Sequence, residues 1–388
     1  MMNTENKTRL DTTTNATSTM NATSSATSTT KKMSTAKNKS FTINDVTVNP
    51  GEKKIIGLPV AKLYTHGDQS IPVHIICGKL AGPTLFISSA IHGDELNGVE
   101  IVRRFLKTRA LDRLHGTLIV IPVVNIFGII QHSRYLPDRR DLNRCFPGSK
   151  RGSLAARLAH IVVKEIVSKS DYGIDLHTGA LHRSNLPQIR ANLKDEETLD
   201  LAKSFRVPVL VNADLRDGSL RQVADEYGVK VLLYEAGEAL RFDELSIRAG
   251  VRGILSVMRH LKMLSSSKSK APQKAKELFV TDETSWARAS ESGILRSIAG
   301  LGSRVKKGEL LGVISDPSDL FDQTEYEIHS DYDGLIIGKS NIPLVNEGDA
   351  IFHIARFKDN KQAAEMVEAF QATGEESPNP VFDDHELG

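Results

Sequence analysis

The chain has 388 residues, of which 40% are hydrophobic and 25% are charged, and its formal net charge is +2. This length allows two or three domains and a substantial core. No apolar run approaches the roughly 18 residues of a membrane span, so we expect no membrane-spanning helix and no membrane partner. The only cysteines are Cys77 and Cys145, which implies no disulfide framework and predicts a cytoplasmic protein.

The positive charge is concentrated at the start of the chain. Residues 1–40 carry a net charge of +4 and the remainder carries −2, so the folded part shows no basic excess of the kind that binds nucleic acid. The first 40 residues are rich in Ser, Thr and Asn, which predicts a disordered tail. They lack the apolar region of a secretory signal.

Apolar runs alternate with amphipathic segments between about residues 70 and 260. The predicted buried strands are 71–78, 83–91, 116–125, 172–177 and 230–237, and the predicted helices are 95–111 and 154–169. Near-continuous apolar strands separated by helices indicate a sheet that is covered on both faces. We therefore predict an α/β domain over residues 41–264, with a mixed, mostly parallel sheet flanked by helices.

The texture of the sequence changes after this domain. A polar, Pro-containing linker is predicted at residues 265–276. Residues 277–356 contain short β-segments and a weak repeat whose copies start at Gly293 and Gly334, which predicts a small all-β barrel or sandwich domain. Residues 357–388 are predicted to hold one helix and a frayed acidic tail.

Polar residues stand where the apolar strands stop. His92 and Glu95 follow one strand, and His177 ends another. Ligands in open α/β sheets bind at the carboxyl ends of strands, so we expect these side chains to lie together. Two histidines and a glutamate form a zinc ligand set that leaves the fourth position to water. Asp175, two residues before His177, is placed to accept the other ring N–H of that histidine.

A general base is expected beside the metal. Glu235 ends a further strand and is the predicted base on the attacking water, with Glu238 as the competing candidate. The pair His92 and Glu95 alone would be weak evidence for a functional site. His177 alone could be a structural histidine at a strand end. The joint arrangement at one sheet edge favours catalysis, and we predict one Zn²⁺ per chain.

Several arginines accompany these residues. Arg134 and Arg144 follow the strand at 116–125, and Arg183 and Arg190 follow His177. A guanidinium group binds a carboxylate through two parallel hydrogen bonds. The number of arginines therefore predicts a substrate with one or two carboxylates, bound in part by Arg183 and Arg190.

The segments HGDELNGVE, DLNRCFPG, DLHTG and YEAG resemble those of the succinylglutamate desuccinylase/aspartoacylase family, which is related to zinc carboxypeptidases. The resemblance covers roughly residues 55–355 and implies a carboxypeptidase-like fold. It implies that His92, Glu95 and His177 hold zinc. It further implies that Glu235 is the base.

The same resemblance assigns the substrate contacts. It implies that Asn143 and Arg144 bind the substrate carboxylate. It implies that Arg134 polarises the scissile carbonyl, with Arg139 and Arg140 as competing candidates.

The C-terminal β-domain of the family narrows the entrance to the active site, and residues after the linker fit that description. Tyr326 and Tyr332 are the candidates for a tyrosine that completes the site. A biotinyl/lipoyl carrier is disfavoured because residues 315–327, between the two repeat halves, contain no lysine. Cys145 has no assigned histidine partner and is interpreted as a structural thiol.

We therefore predict a zinc-dependent deacylase that acts on an N-acylated, acidic amino acid. Three alternatives stay open: a zinc carboxypeptidase that removes C-terminal residues such as Glu, an N-acetyl-diamino-acid deacetylase, and a non-catalytic binding protein on the same fold. The expected partner is a small N-acyl amino acid or a peptide C-terminus, without nucleic acid. A homo-oligomer is also compatible with the sequence.

Overall fold

The computed structural model describes residues 33–62, 64–265, 279–281, 283–318 and 324–375. Most of the predicted N-terminal tail, the linker after Ser265 and the acidic end after Glu375 lie outside the described residues. The described residues belong to one unit by their mutual contacts. Among them, no helix is long and apolar enough to cross a membrane.

The α-helices are short and fall mainly between strands. They are α1 (Asn97–Phe105), α2 (Ile126–Ile130), α3 (Leu154–Glu165), α4 (Glu196–Phe205), α5 (Leu220–Glu226), α6 (Glu244–His260) and α7 (Asn360–Glu375). Short 3₁₀ turns lie at Arg109–Arg113, Leu142–Arg144 and Val167–Lys169.

The strands run through the whole described chain. They are β1 (Phe41–Ile43), β2 (Val46–Val48), β3 (Lys53–Lys62), β4 (Asp68–Cys77), β5 (Leu80–Ser89), β6 (His115–Ile121), β7 (Tyr172–Gly179), β8 (Arg183–Ala191), β9 (Val209–Asn212), β10 (Lys230–Glu238), β11 (Phe279–Thr281), β12 (Glu283–Arg288), β13 (Gly293–Ser297), β14 (Arg304–Val305), β15 (Leu310–Ser315), β16 (Glu325–His329), β17 (Gly334–Ser340), β18 (Leu344–Val345) and β19 (Ala350–Arg356).

One large mixed sheet organises the molecule, in the order β12-β19-β17-β8-β10-β7-β5-β6-β4-β3. Its centre is parallel, because β10, β7, β5 and β6 run in one direction. Its flanks are antiparallel, with β8 against β10 and β4 against β6. The predicted mixed α/β sheet is confirmed.

Both faces of the sheet are covered, as the continuous apolar strands predict. Leu85, Phe86 and Ile87 of β5 are successive residues that point to alternate faces, and all are buried. On one face they join a core formed with α1, α4 and α6. On the other face the core includes residues of α3 and α5. The helices on both faces therefore fix the central parallel strands, whose carboxyl ends lie at the same edge of the sheet.

The C-terminal strands form antiparallel sheets, which confirms the predicted all-β region. A four-stranded sheet has the order β16-β15-β13-β18, and it shares a core with β17 and β19. Strands β17, β19 and β12 also continue the large sheet, because Ser340 of β17 lies opposite Arg183 of β8. The C-terminal strands are therefore joined by backbone pairing to the α/β layers.

Strand β8 was not predicted, although it lies near the centre of the sheet. Its sequence contains Pro187, which cannot donate a ladder hydrogen bond and usually argues against a central strand. The structure accommodates it at an irregularity, since the register with β10 shifts between Glu235 and Gly237 where Pro187 falls. This strand carries both Arg183 and Arg190.

Candidate active site

The segment that follows β5 places His92 and Glu95 at the carboxyl edge of the sheet. Gly93 between them packs against the backbone of Gly128 on α2, and a Cβ at this position would overlap it. Asn125 begins α2, and its side chain accepts a hydrogen bond from the N–H of Gly128. Close backbone packing therefore fixes the turn from which the two polar side chains point inward.

His92, Glu95 and His177 form one buried cluster. His92 Nδ1 lies 2.7 Å from Glu95 Oε1, and His177 Nδ1 lies 2.8 Å from Glu95 Oε2. Each of the three side chains is about 3% exposed. The backbone N–H of Thr178 donates to Glu95 Oε2 over 3.2 Å. The same ring nitrogen of each histidine thus faces the shared carboxylate.

Carboxylates hold the outer ring nitrogens of both histidines. His177 Nε2 lies 2.7 Å from Asp175 Oδ2, and the hydroxyl of Ser88 donates to the other oxygen of Asp175. His92 Nε2 lies 3.1 Å from Asp141 Oδ1. These contacts fix the orientation of each ring, which is the function of carboxylates that lie behind metal-binding histidines.

The buried charges are balanced within the cluster. Burial alone would raise the pKa of Glu95, but the two adjacent histidines outweigh burial and lower it. Burial would lower the pKa of His177, but Asp175 and Glu95 raise it well above its usual value. The cluster therefore favours an ionised carboxylate between two imidazoles.

The donor set fits a divalent metal. The ligand atoms of His92, Glu95 and His177 lie within 4.8 Å of one another. Two imidazole nitrogens and one carboxylate are typical ligands of a catalytic zinc site that keeps an open position. The outer contacts of the histidines leave both Nδ1 atoms directed at the centre. The described residues thus supply the ligands and the groups that orient them.

Glu235 and Glu238 are separated by the structure. Glu235 lines the cavity beside the histidine–glutamate cluster, and its backbone lies opposite His177 across the β10–β7 pair. Its Oε2 lies 2.8 Å from Arg190 Nε as an ion pair without hydrogen-bond geometry. Glu238 is outside the cavity lining and accepts a hydrogen bond from Asn341 over 2.7 Å. The geometry favours Glu235 as the base.

Arg134 contacts the histidine–glutamate cluster. Its Nη2 lies 3.0 Å from Asp141 Oδ2, and its Nη1 lies 3.4 Å from Glu95 Oε1. Arg139 and Arg140 are exposed and do not line the cavity. Of the three sequence candidates, Arg134 alone is placed to contact a carbonyl at the centre.

Asn143 and Arg144 follow Arg134 in the chain, and both line the same cavity. The side-chain oxygen of Asn143 accepts a hydrogen bond from the N–H of Leu220 over 2.9 Å. Its NH₂ group is therefore the end that can donate to a carboxylate. The guanidinium of Arg144 donates to the backbone carbonyl of Asn143 over 2.6 Å, which holds the Arg144 side chain against the backbone of Asn143.

These residues surround one cavity of about 670 Å³, within the range of small-molecule sites. Its described lining includes six arginines, namely Arg134, Arg144, Arg183, Arg190, Arg216 and Arg221. It includes three carboxylates, namely Glu95, Asp214 and Glu235. The excess of guanidinium groups makes the cavity electropositive and favours an anionic ligand.

Residues 81–261 match the family model of the succinylglutamate desuccinylase/aspartoacylase catalytic domain. This part of the chain is similar to the catalytic domain of that family. The matched segment contains the histidine–glutamate cluster, Glu235 and five of the sequence-predicted substrate contacts, which are Arg134, Asn143, Arg144, Arg183 and Arg190.

The similarity to individual proteins extends over most of the chain. The N-alpha-acetyl-L-2,4-diaminobutyric acid deacetylase of Halomonas elongata is 25% identical, over 74% of this chain and 86% of its own length. A succinylglutamate desuccinylase/aspartoacylase from Rhodobacter sphaeroides superposes with a TM-score of 0.69 at 25% identity, over 79% of this chain and 96% of that one. The product-bound ectoine utilization protein EutE (DoeB) from Ruegeria pomeroyi gives 0.70 at 22% identity, over 82% and 99%.

The sequence analysis did not identify some residues that line the cavity. Asp214, Arg216 and Arg221 come from the segment after β9, at the carboxyl end of a strand that was not predicted. Arg221 is buried and donates to the backbone carbonyls of Ala213 and Asp214. Burial, and then the nearby Arg190, lower its pKa. An inspection of every loop that follows an apolar run would have found this segment.

The C-terminal strands supply Trp286 and His353 to the cavity rather than a tyrosine. Tyr326 and Tyr332 are both more than a third exposed and do not line it, and Tyr332 instead lies beneath the guanidinium of Arg356. Cys145 is also outside the lining. Burial raises the pKa of its thiol, as expected of a structural cysteine.

Proposed function

We propose that this protein is a zinc-dependent amide hydrolase that removes the acyl group from an N-acylated acidic amino acid. The observation that carries the proposal is the convergence of three kinds of group on one cavity. These are a possible metal-ligand set of two histidines and a glutamate, the adjacent carboxylate of Glu235, and an excess of arginines.

A zinc ion held by His92, Glu95 and His177 would supply Lewis acidity, which polarises an amide carbonyl and lowers the pKa of water. Glu235 accepts the proton of the attacking water. It then returns that proton to the leaving amine nitrogen as the C–N bond breaks. The second proton of the water follows to the same nitrogen, so the products are a carboxylate, which contains the water oxygen, and an ammonium group.

The arginines bind and orient the substrate. Arg134, anchored by Asp141, stabilises the negative charge that develops on the carbonyl oxygen. Arg144 and the NH₂ group of Asn143 bind the α-carboxylate of the amino acid, because a paired donor set of this kind matches a carboxylate. The scissile amide is thereby positioned between Arg134 and Glu235.

A second candidate function is the deacetylation of an N-acetyl-diamino acid. The curated relative from Halomonas elongata is named for this activity and covers most of the chain. The six arginines of the cavity argue against it, because they repel the additional ammonium group of such a substrate. A carboxypeptidase would use the same Asn143–Arg144 contacts and is the third candidate.

The test is a substrate screen of the zinc-loaded protein. We expect turnover of N-acetyl-L-glutamate or N-acetyl-L-aspartate well above that of neutral N-acetyl amino acids. A preference for N-acetyl-2,4-diaminobutyrate would support a diamino-acid deacetylase instead. Release of C-terminal Glu from peptides would support a carboxypeptidase instead. Absence of any hydrolysis with zinc bound would support a binding protein. Cytoplasmic location and self-association stay predictions.

A further inference from the structure

The C-terminal strands line the cavity with a stacked aromatic pair. Trp286 on β12 lies directly opposite His353 on β19. Their ring centroids are 4.6 Å apart and their planes differ by 4°. Both residues lie beyond the matched residues 81–261, so this wall belongs to the part of the chain outside the catalytic-domain match.

His353 has an unused hydrogen-bonding atom at this wall. The residue is 5% exposed, and its Nδ1 is buried without a partner among the described residues. Buried polar groups are nearly always hydrogen-bonded, and an unsatisfied one lowers stability. A phenylalanine ring would fill similar space without that cost. Because this nitrogen has no partner in the described part of the chain and its residue lines the cavity, we expect its hydrogen-bond partner to be a group of the ligand.

The surroundings of His353 define the chemistry of that partner. Burial, and then the charge of Arg190, lower the pKa of His353 to about 3, so the imidazole is neutral and carries one N–H. The guanidinium of Arg183 lies 5.3 Å from the centre of the Trp286 ring, where the aromatic face holds it. A neutral N–H donor that lines the same cavity as the guanidinium groups of Arg183 and Arg190 favours an anionic oxygen over an ammonium group.

We propose that His353 and Trp286 determine substrate specificity. His353 donates a hydrogen bond from Nδ1 to a second carboxylate of the substrate, and Trp286 positions Arg183 toward the same group. This inference rests on the proposed deacylase function, since it requires an N-acyl amino acid in the cavity. It deepens that function by assigning the recognition of the second carboxylate to the C-terminal strands.

The experiment compares kcat/KM for substrates with and without a second carboxylate. The first group is N-acetyl-L-aspartate, N-acetyl-L-glutamate and N-succinyl-L-alanine, and the reference is N-acetyl-L-alanine. His353→Phe keeps a ring against Trp286 and removes both nitrogens. We expect a loss of roughly 10- to 100-fold on the best substrate of the first group, little change on the reference, and a Tm that is unchanged or higher.

Two further variants make the test specific. His329→Phe is the matched control, because His329 is an exposed histidine of β16 that does not line the cavity, and it should leave the ratio unchanged. His353→Gln retains an N–H donor and should keep more of the preference than His353→Phe. If His353→Phe does not fold, Trp286→Leu carries the same comparison, because it removes the surface that holds Arg183.

The outcomes separate this inference from the proposed function. Equal losses on both kinds of substrate with a lowered Tm would show a structural role and overturn the inference, and so would an unchanged ratio. Wild-type protein that prefers the reference substrate would overturn it as well. The proposed function fails by a different result, which is no hydrolysis of any of these amides by the zinc-loaded wild type.

Discussion

Two regions of the cavity differ in how their histidines are partnered. In the histidine–glutamate cluster, which holds the proposed metal ligands, both ring nitrogens of His92 and of His177 lie beside carboxylate oxygens. At the wall formed by the C-terminal strands, His353 is as deeply buried, yet its Nδ1 has no partner among the described residues. The first arrangement is complete without a substrate, and the second is completed by one.

This difference suggests that the histidine–glutamate cluster serves the catalytic step, whereas Trp286 and His353 serve substrate selection. A change in the metal-ligand cluster should lower the rate for every substrate by a similar factor. A change at Trp286 or His353 should alter the ratio between substrates. The predictions below use this contrast and run from the largest expected effect to the smallest.

Removal of the metal should abolish activity on all substrates alike. We expect about one zinc per chain and complete loss of turnover in His92→Ala and His177→Ala, because a three-ligand site cannot hold the ion firmly with two ligands. Metal analysis of purified protein, followed by chelation and zinc restoration, measures this. Full activity of metal-free protein would contradict the proposed function.

Glu235→Gln should retain zinc and lose chemistry. The substitution keeps the size of the side chain and removes the proton acceptor, which is typically worth about 10²–10⁴-fold in rate. Glu238→Gln is the matched control and should keep most of its kcat, since Glu238 is hydrogen-bonded to Asn341 outside the cavity lining. The assignment is wrong if the two variants behave in the opposite way.

Arg144→Ala should raise KM while kcat changes little, if the α-carboxylate is bound equally in the ground and transition states. Loss of a charge-assisted contact corresponds to roughly a tenfold or greater rise in KM. The rise should be similar for substrates with one and with two carboxylates. Arg139→Ala, which alters an exposed arginine off the cavity, is the control. An unchanged KM would shift the binding role first to Arg183 or Arg190.

The preference for a second carboxylate should not depend on pH between about 6 and 9. Because the pKa of His353 is lowered to about 3, its imidazole is neutral above that value and stays neutral across this range. The metal-linked steps affect both substrates equally and cancel in the ratio of kcat/KM. A ratio that changes with an apparent pKa near 6.5 would show that His353 titrates normally and is not held neutral by burial and Arg190.

The metal-ligand cluster could be predicted from the sequence because its residues stand at strand ends. His92, His177 and Glu235 each follow a run of apolar residues, and parallel strands bring such ends to one edge. The arginines of β8 were named only from their closeness to His177. Their place in the sheet was not predicted because Pro187 argues against a central strand. The register shift that accommodates Pro187 cannot be seen in the sequence.

The C-terminal wall could not be predicted in the same way. His353 lies within the run IFHIA, which is typical of an ordinary buried strand, and Trp286 lies in the mostly polar segment ETSWAR, which matches no site motif. Their role depends on pairing between strands that are far apart in sequence, which local patterns do not encode. The search for a tyrosine at this position therefore led to Tyr326 and Tyr332, which line no part of this cavity.

The pairing of β8 with β17 has a consequence for the order of assembly during synthesis. Strand β17 begins at Gly334, whereas the proposed metal ligands and the proposed base all precede the end of β10 at Glu238. At typical elongation rates of about 5–20 residues per second, the ribosome needs on the order of ten seconds to add the intervening chain. The edge of β8 has no β17 partner during that interval. Under the proposed function, the nascent protein can therefore bind zinc while the cavity is still open on one side, and the residues proposed to select the substrate are added last.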